Sequence, residues 1–128
     1  MKKSRNSSDY KLYLQEIILH IQIIEDYTKG MSLDEFIHDR KTVDAVDTNL
    51  RNIGEAMNVL SKIPKIKSDF YRYRIPWEDI ASLRHSLSHE YFSRDPEIMW
   101  KNATSLLPKI KPFIMKMLEE DRKRDATV

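Results

Sequence analysis

The 128-residue chain has no cysteine. That excludes disulfides and thiolate metal sites, and a reducing cytoplasm is the expected setting. Only two glycines and five prolines occur, too few for the many turns of an all-β fold, so long helices are expected. No apolar run approaches the ~20 residues of a membrane span, and no membrane association is expected. Residues 1–9 carry basic side chains but lead into polar ones rather than an apolar core, unlike a secretory signal. Charge of one sign is also missing. The 22 Lys and Arg against 20 Asp and Glu leave a formal charge of +2. This total does not argue for nucleic-acid binding, so any basic patch has to come from local arrangement.

What is present reads as helix. The 33% charged and 41% hydrophobic residues are those of an ordinary folded protein. The length suits one domain, 1–128, with a core over about residues 10–118 and polar termini. Ser8 stands as an N-cap for a first helix whose stripe is Tyr10, Leu14, Ile17, Ile18, Ile21, Ile24 and Tyr27, ended by Gly30. Ser32 to Glu35 spells a capping box for a short helix through Phe36 and Ile37. Val43, Val46, Leu50, Ile53, Met57 and Leu60 predict a long amphipathic helix, roughly 39–62. Gly54 inside it costs about 1 kcal/mol relative to alanine, which points to close helix–helix approach or to room for a substrate. Glu55 beside it reads as a solvated helix charge or as a group supporting a site.

Pro64 stops that helix. The stretch from Lys65 to Arg74 mixes Lys65, Lys67, Arg72 and Arg74 with Phe70, Tyr71 and Tyr73. Such a mixture suits RNA, because charges follow phosphates and rings stack on bases; equally it suits a surface connection whose aromatics cap the core. Pro76 with Trp77, Glu78 and Asp79 is a helix start, and Asp95 with Pro96 is another. The last helix, from Ile98 to Leu118, contains Pro108 and Pro112, so a kink or break is expected near Leu107. Glu119 to Val128 reads as a charged, solvated tail. The sum is an all-α, up-and-down bundle of four main helices plus a short one.

The densest chemistry lies between Leu83 and Phe92: Arg84, His85, Ser88, His89, Glu90 and Tyr91. His85 and His89 share a helix face, whereas Arg84 and His89 stand roughly 140° apart on an ideal helix. One straight helix cannot aim Arg84, His89 and Tyr91 at one point. Either the helix ends near His89, or two copies meet across a two-fold axis and share a cleft. Three readings of the cluster stand open. His-x-x-x-His is zinc-ligand spacing, but Ser86 occupies the place of the metalloprotease glutamate and no third ligand is evident. The cluster can be packing and hydrogen bonding alone. Or it can cleave RNA without a metal, a histidine moving the protons of the 2′-hydroxyl or the 5′-oxygen and the arginine gripping the phosphate.

The order Arg84-x-x-x-x-His89-x-Tyr91 resembles the HEPN superfamily and, within it, HepT-like toxins of HepT/MntA toxin–antitoxin pairs. The resemblance extends to Ser32–Phe36, Asp39–Val46, Asn52–Ala56, Ile75–Trp77 and Leu107–Pro108, about residues 10–118 in all. It implies a helical bundle that forms a homodimer with motif helices lining one cleft. It implies a ribonuclease toxin acting on cellular RNA, tRNA in the best-known branch, with Arg84 and His89 catalytic and His85 supporting. Ser88 and Glu55 stand beside these as further supporting candidates, and the chemistry of the cluster calls for no cofactor and no metal. Tyr91 matches the tyrosine that receives AMP from an MntA-like nucleotidyltransferase antitoxin, which silences the toxin. The sequence departs from the family in lacking the glycine that often follows the Tyr-Phe pair, which bears on loop shape. A function of another class, a non-catalytic HEPN subunit that binds nucleotide or presents substrate to a nucleotidyltransferase, uses the same residues as an interaction surface.

Overall fold

The computed structural model describes residues 10–72 and 95–126. Among them every regular element is helical: α1 (Tyr10–Thr28), α2 (Leu33–Ile37), α3 (Arg40–Leu60), α4 (Pro64–Arg72), α5 (Pro96–Lys101), a π-helical segment (Asn102–Leu106) and α6 (Leu107–Ala126). The protein is thus an all-α bundle, as its turn-poor sequence predicts.

α1 and α3 form the main interface, with α6 on another side of α1 and α5 against α3. Their stripes supply the core. Leu14, Ile17, Ile21 and Ile24 of α1 are buried, as are all six predicted α3 residues. Each such side chain contributes about 1.5–3 kcal/mol when fully removed from water. Tyr27, also predicted to face inward, is 51% exposed. At the edge of the α1–α3 seam His20 Nδ1 lies 2.7 Å from Asn49 Oδ1, while Asn49 Nδ2 donates to the Ala45 carbonyl at 2.8 Å. Because the Asn49 amide nitrogen is committed to that carbonyl, its oxygen accepts and His20 donates from Nδ1. Glu25 of α1 ties to Lys111 of α6 at 3.0 Å.

The turns follow their local chemistry. Gly30 has φ 77°, a left-handed conformation that glycine adopts at no steric cost. Ser32 accepts from the Glu35 backbone N–H at 3.1 Å and Glu35 accepts from the Ser32 N–H at 2.9 Å, the predicted capping box. It starts a five-residue helix too short to stand alone. Phe36 holds it, fully buried, with its ring 5.2 Å from Trp100 of α5. Asp39 caps α3 by accepting from the Thr42 N–H at 3.1 Å, and that hydrogen bond holds its carboxyl below its ordinary range.

Three departures from expectation matter. The segment after Pro64 is a helix rather than a connection. Pro64 sits at its first position, where a missing N–H costs nothing, and Ile63 and Ile66 anchor it in the core. Near Leu107, where a kink or break was expected, the last helix is disturbed without breaking: the five residues before Leu107 adopt π geometry, with the Leu107 N–H donating to the Asn102 carbonyl. A continuous α-helix would press the Pro108 ring against the Thr104 carbonyl; the wider i→i+5 turn just before it makes room. Finally, the charged C-terminal stretch is helical as far as Ala126, and Asp121 within it is buried, while Arg122 and Lys123 are solvated as expected.

Candidate functional site

Arg84, His85, Ser88, His89 and Tyr91, together with Arg74, lie outside the described residues. What the structure defines is the frame that holds the interval containing them. On one side the interval follows Arg72, the last residue of α4. The Arg72 guanidinium donates to Glu120 of α6 at 2.9 Å and lies 3.5 Å from Asp69. On the other side it leads into Asp95, which caps α5 by accepting from the Glu97 N–H at 3.0 Å, with Pro96 at the first helical position. α5, the π segment and α6 form one continuous rod. Glu120 lies 25 positions after Asp95, which at 1.5 Å per residue is about 37 Å along that rod. The two ends of the motif interval are therefore secured at well-separated points of one continuous helical run.

A charged cluster locks the α4 side. Lys65 Nζ donates to the Tyr10 hydroxyl at 2.8 Å and stands 4.5 Å from the centre of the Tyr10 ring. The same ammonium lies 3.7 Å from the buried Asp121 carboxylate and 4.0 Å from Asp69. Cation, ring and carboxylate thus join α1, α4 and α6, with the carboxylate buried and the ammonium half-buried at the edge of the core. Of the basic residues predicted to touch RNA, Lys65 is engaged in this cluster and Arg72 in its acidic contacts, while Lys67 is exposed. Asp121 was not legible as a core residue from its charge. A signal existed, however. Leu107, Ile110, Ile114 and Met117 form a stripe at steps of three and four, and Asp121 is the next step on it.

Glu55 is exposed on α3. Four residues before it, Arg51 Nε lies 3.3 Å from the buried Asp47 carboxylate. Asp47 and Gly54 form one edge of the buried arc of α3, and Asn49 forms the other edge, against α1. Gly54 is itself buried, as close approach requires. An open groove of 370 Å³ lies between α1 and α6, lined by Lys11, Gln15, Ile18, Met115, Leu118, Glu119 and Arg122. It holds no histidine and is not the centre that the motif predicts. Among the described residues no three His, Asp or Glu side chains converge to hold a metal ion, and no helix is long and apolar enough to cross a membrane.

Comparison with known proteins adds to this frame. The family described as Ribonuclease HepT-like matches residues 17–117. A Methanocaldococcus jannaschii protein named "Gamma-glutamylcyclotransferase and putative RNase" is 35% identical over 112 residues, covering 88% of this chain and 49% of that protein. This chain thus spans about half the length of that relative. A Thermococcus cleftensis protein named "Probable ribonuclease HepT" is 36% identical over 104 residues, covering 80% of this chain and 89% of the relative. A second M. jannaschii protein, named as a putative RNase, is 33% identical over 117 residues, with 91% and 93% covered. No solved structure gives a significant match.

Proposed function

The chain belongs to the Ribonuclease HepT-like family, and on that footing we propose that it is a metal-independent endoribonuclease toxin, with tRNA as its expected substrate. The observation that carries this reading is the spacing of Arg84, His89 and Tyr91, which falls inside the span matched to the family.

The chemistry follows from the side chains. A neutral imidazole of His89 takes the proton of a ribose 2′-hydroxyl. The O2′ attacks the adjacent phosphorus, and the bond from phosphorus to the 5′-oxygen breaks. The leaving oxygen takes up a proton. The products are a 2′,3′-cyclic phosphate and a 5′-hydroxyl end, so atoms and charge balance with no metal taking part. Arg84 grips the non-bridging phosphate oxygens through two parallel N–H donors and opposes the charge that builds on them in the transition state. In a homodimer whose motif segments share one cleft, two histidines are available, one for each proton transfer, and the angular separation of Arg84 and His89 is no obstacle. His85, Ser88 and Glu55 support this centre by hydrogen bonding.

Tyr91 is the regulatory group in this reading. An MntA-like nucleotidyltransferase antitoxin attaches AMP from ATP to its hydroxyl, forming a phosphodiester and releasing pyrophosphate. The nucleotide then blocks the cleft by bulk and by repelling the RNA phosphate. The absence of cysteine fits a cytoplasmic setting for both partners.

The test incubates wild type and His89→Ala with total tRNA in excess EDTA. Fragments from wild type alone support the reading. Cleavage that persists in both His89→Ala and Arg84→Ala refutes the assignment of the site. No cleavage by wild type, with intact mass showing Tyr91 unmodified, favours the non-catalytic subunit instead.

A further inference from the structure

α1 is apolar on two sides. Leu14, Ile17, Ile21 and Ile24 face the core, yet on the opposite side Leu12 and Leu19 stand 58% and 55% exposed. Seven residues apart, these two lie within about 20° of one another and ~10 Å apart along the helix. Ile23 continues the line one turn on, and Tyr27, half exposed, ends it. Among the described residues six large apolar side chains are exposed, and half of them are on this helix. A fourth, Met115 of α6, stands at the groove between the two helices, whose walls include Ile18 and Leu118. A helix at a surface normally turns polar residues outward, and an apolar patch that spreads over neighbouring elements marks a place of contact.

The polar residues beside the line point to what fits there. Lys11, Gln15, Gln22 and Asp26 fall within about 60° of arc on the groove side of it. Lys11 and Asp26 are equally distant from a point between Ile18 and Leu19, and so are Gln15 and Gln22. A two-fold axis through that point lays α1 antiparallel on the α1 of a second copy. It sets each Lys11 ammonium against an Asp26 carboxylate and each Gln15 amide against a Gln22 amide, while Leu19 meets the apolar centre of the other line. Neither charge has to be free for this. Lys11 has a partner in its own chain and Asp26 accepts from Gln22 at 3.4 Å, but an ammonium has three donors and a carboxylate about four acceptor sites, so both keep capacity. Glu16, on the other edge of the line, stands at the rim, where water and salt screen it.

We infer that the outward face of α1 is a docking surface for the same face of a second copy of this chain. It is separate from the cleft of the homodimer proposed above, because α1 contributes none of the motif residues. Where that homodimer forms, the α1 seam joins two of them.

A standard interface uses about 20–30 residues a side. This face offers roughly half as many, so the seam is weak and is measured by light scattering at about 100 µM protein. Wild type is expected as a tetramer. Leu12→Glu/Leu19→Glu, which alters exposed side chains only, is expected as a dimer with an unchanged melting curve. A second variant exploits the absence of cysteine. Leu19→Cys places the sole thiol beside the axis, and on oxidation it is expected to form a disulfide-linked pair. Leu33→Cys, exposed on α2, is the control and is expected to stay unlinked. A monomeric wild type, or one mass shared by wild type and the double variant, overturns the inference. So does equal cross-linking of both cysteine variants. A dimeric wild type with a monomeric double variant upholds the α1 seam and refutes the separate cleft homodimer. If the double variant keeps the wild-type mass but loses binding to a purified nucleotidyltransferase, the face belongs to that partner and the inference fails. None of these masses depends on RNA cleavage, so the seam and the ribonuclease reading stand or fall separately.

Discussion

Replacing Phe36 by alanine tests whether α2 is held by its one buried ring. α2 has five residues, well short of the length at which a helix persists by itself. Its capping box satisfies backbone N–H groups but adds no apolar burial. Phe36 is fully buried and contacts Trp100 at a centroid distance of 5.2 Å. Truncating such a ring costs about 3–5 kcal/mol, the lost transfer energy plus the cavity left behind. A chain of this length unfolds with an entropy of about 0.27 kcal/mol/K, so the melting temperature is expected to fall by ~11–19 °C. Phe36→Leu keeps most of the apolar volume and is expected to cost about 1–1.5 kcal/mol. Circular dichroism melts give the temperatures, and urea titration with an unchanged m-value confirms that stability alone has changed. A fall below ~4 °C for Phe36→Ala, equivalent to about 1 kcal/mol, would refute the reasoning, because α2 would then be held by something other than its ring. The experiment bears on function as well, since Trp100 belongs to α5, the helix into which the motif interval leads.

Three further outcomes are expected. The lowered carboxyl pKa of Asp39 comes mainly from its hydrogen bond to the Thr42 backbone N–H; its contribution to stability is therefore present above its ordinary value of 3.8 and lost as pH falls through the lower folded value. Asp39→Asn retains an acceptor without the charge, so its melting temperature relative to wild type should rise on acidification below pH ~4, and a constant difference would show that the carboxylate has no such linkage. Gly30→Ala meets no atom within 4 Å but must adopt a φ of 77°, so it is expected to cost about 1 kcal/mol and ~4 °C of melting temperature through backbone strain alone; an unchanged melt would mean that the turn relaxes freely. Incubation of the wild-type protein with ATP and an active nucleotidyltransferase partner should add the mass of one AMP to wild type and not to Tyr91→Phe, whereas an addition to both would place the acceptor elsewhere.

The candidate site was legible in unequal parts. Arg84, His89 and Tyr91 stand within eight consecutive residues, and such a cluster is visible without any fold. The frame that secures their interval depends on pairs far apart in sequence, Arg72 with Glu120 and Lys65 with Asp121. Neither pair could be chosen from among the many oppositely charged residues before the helices were placed. Lys65 and Arg72 read as groups facing RNA because their charge and aromatic neighbours suit it; the folded chain turns both toward carboxylates of its own.

Local pattern alone determined most of the helices. The α1 stripe apart from Tyr27, the α3 stripe, the Ser32–Glu35 capping box, the Gly30 stop and the Asp95-Pro96 start emerge where they were expected, because each depends only on residues within one or two turns. Tertiary structure decided what lies beyond that range. It made α4 a helix, since burying Ile63 and Ile66 outweighs the weak preferences of a basic stretch. It carried α6 through Asp121, because Lys65 and Tyr10 from other helices meet there. Around Pro108 it kept a single rod by widening one turn, which keeps Met99, Ala103, Leu107 and Ile110 in the core.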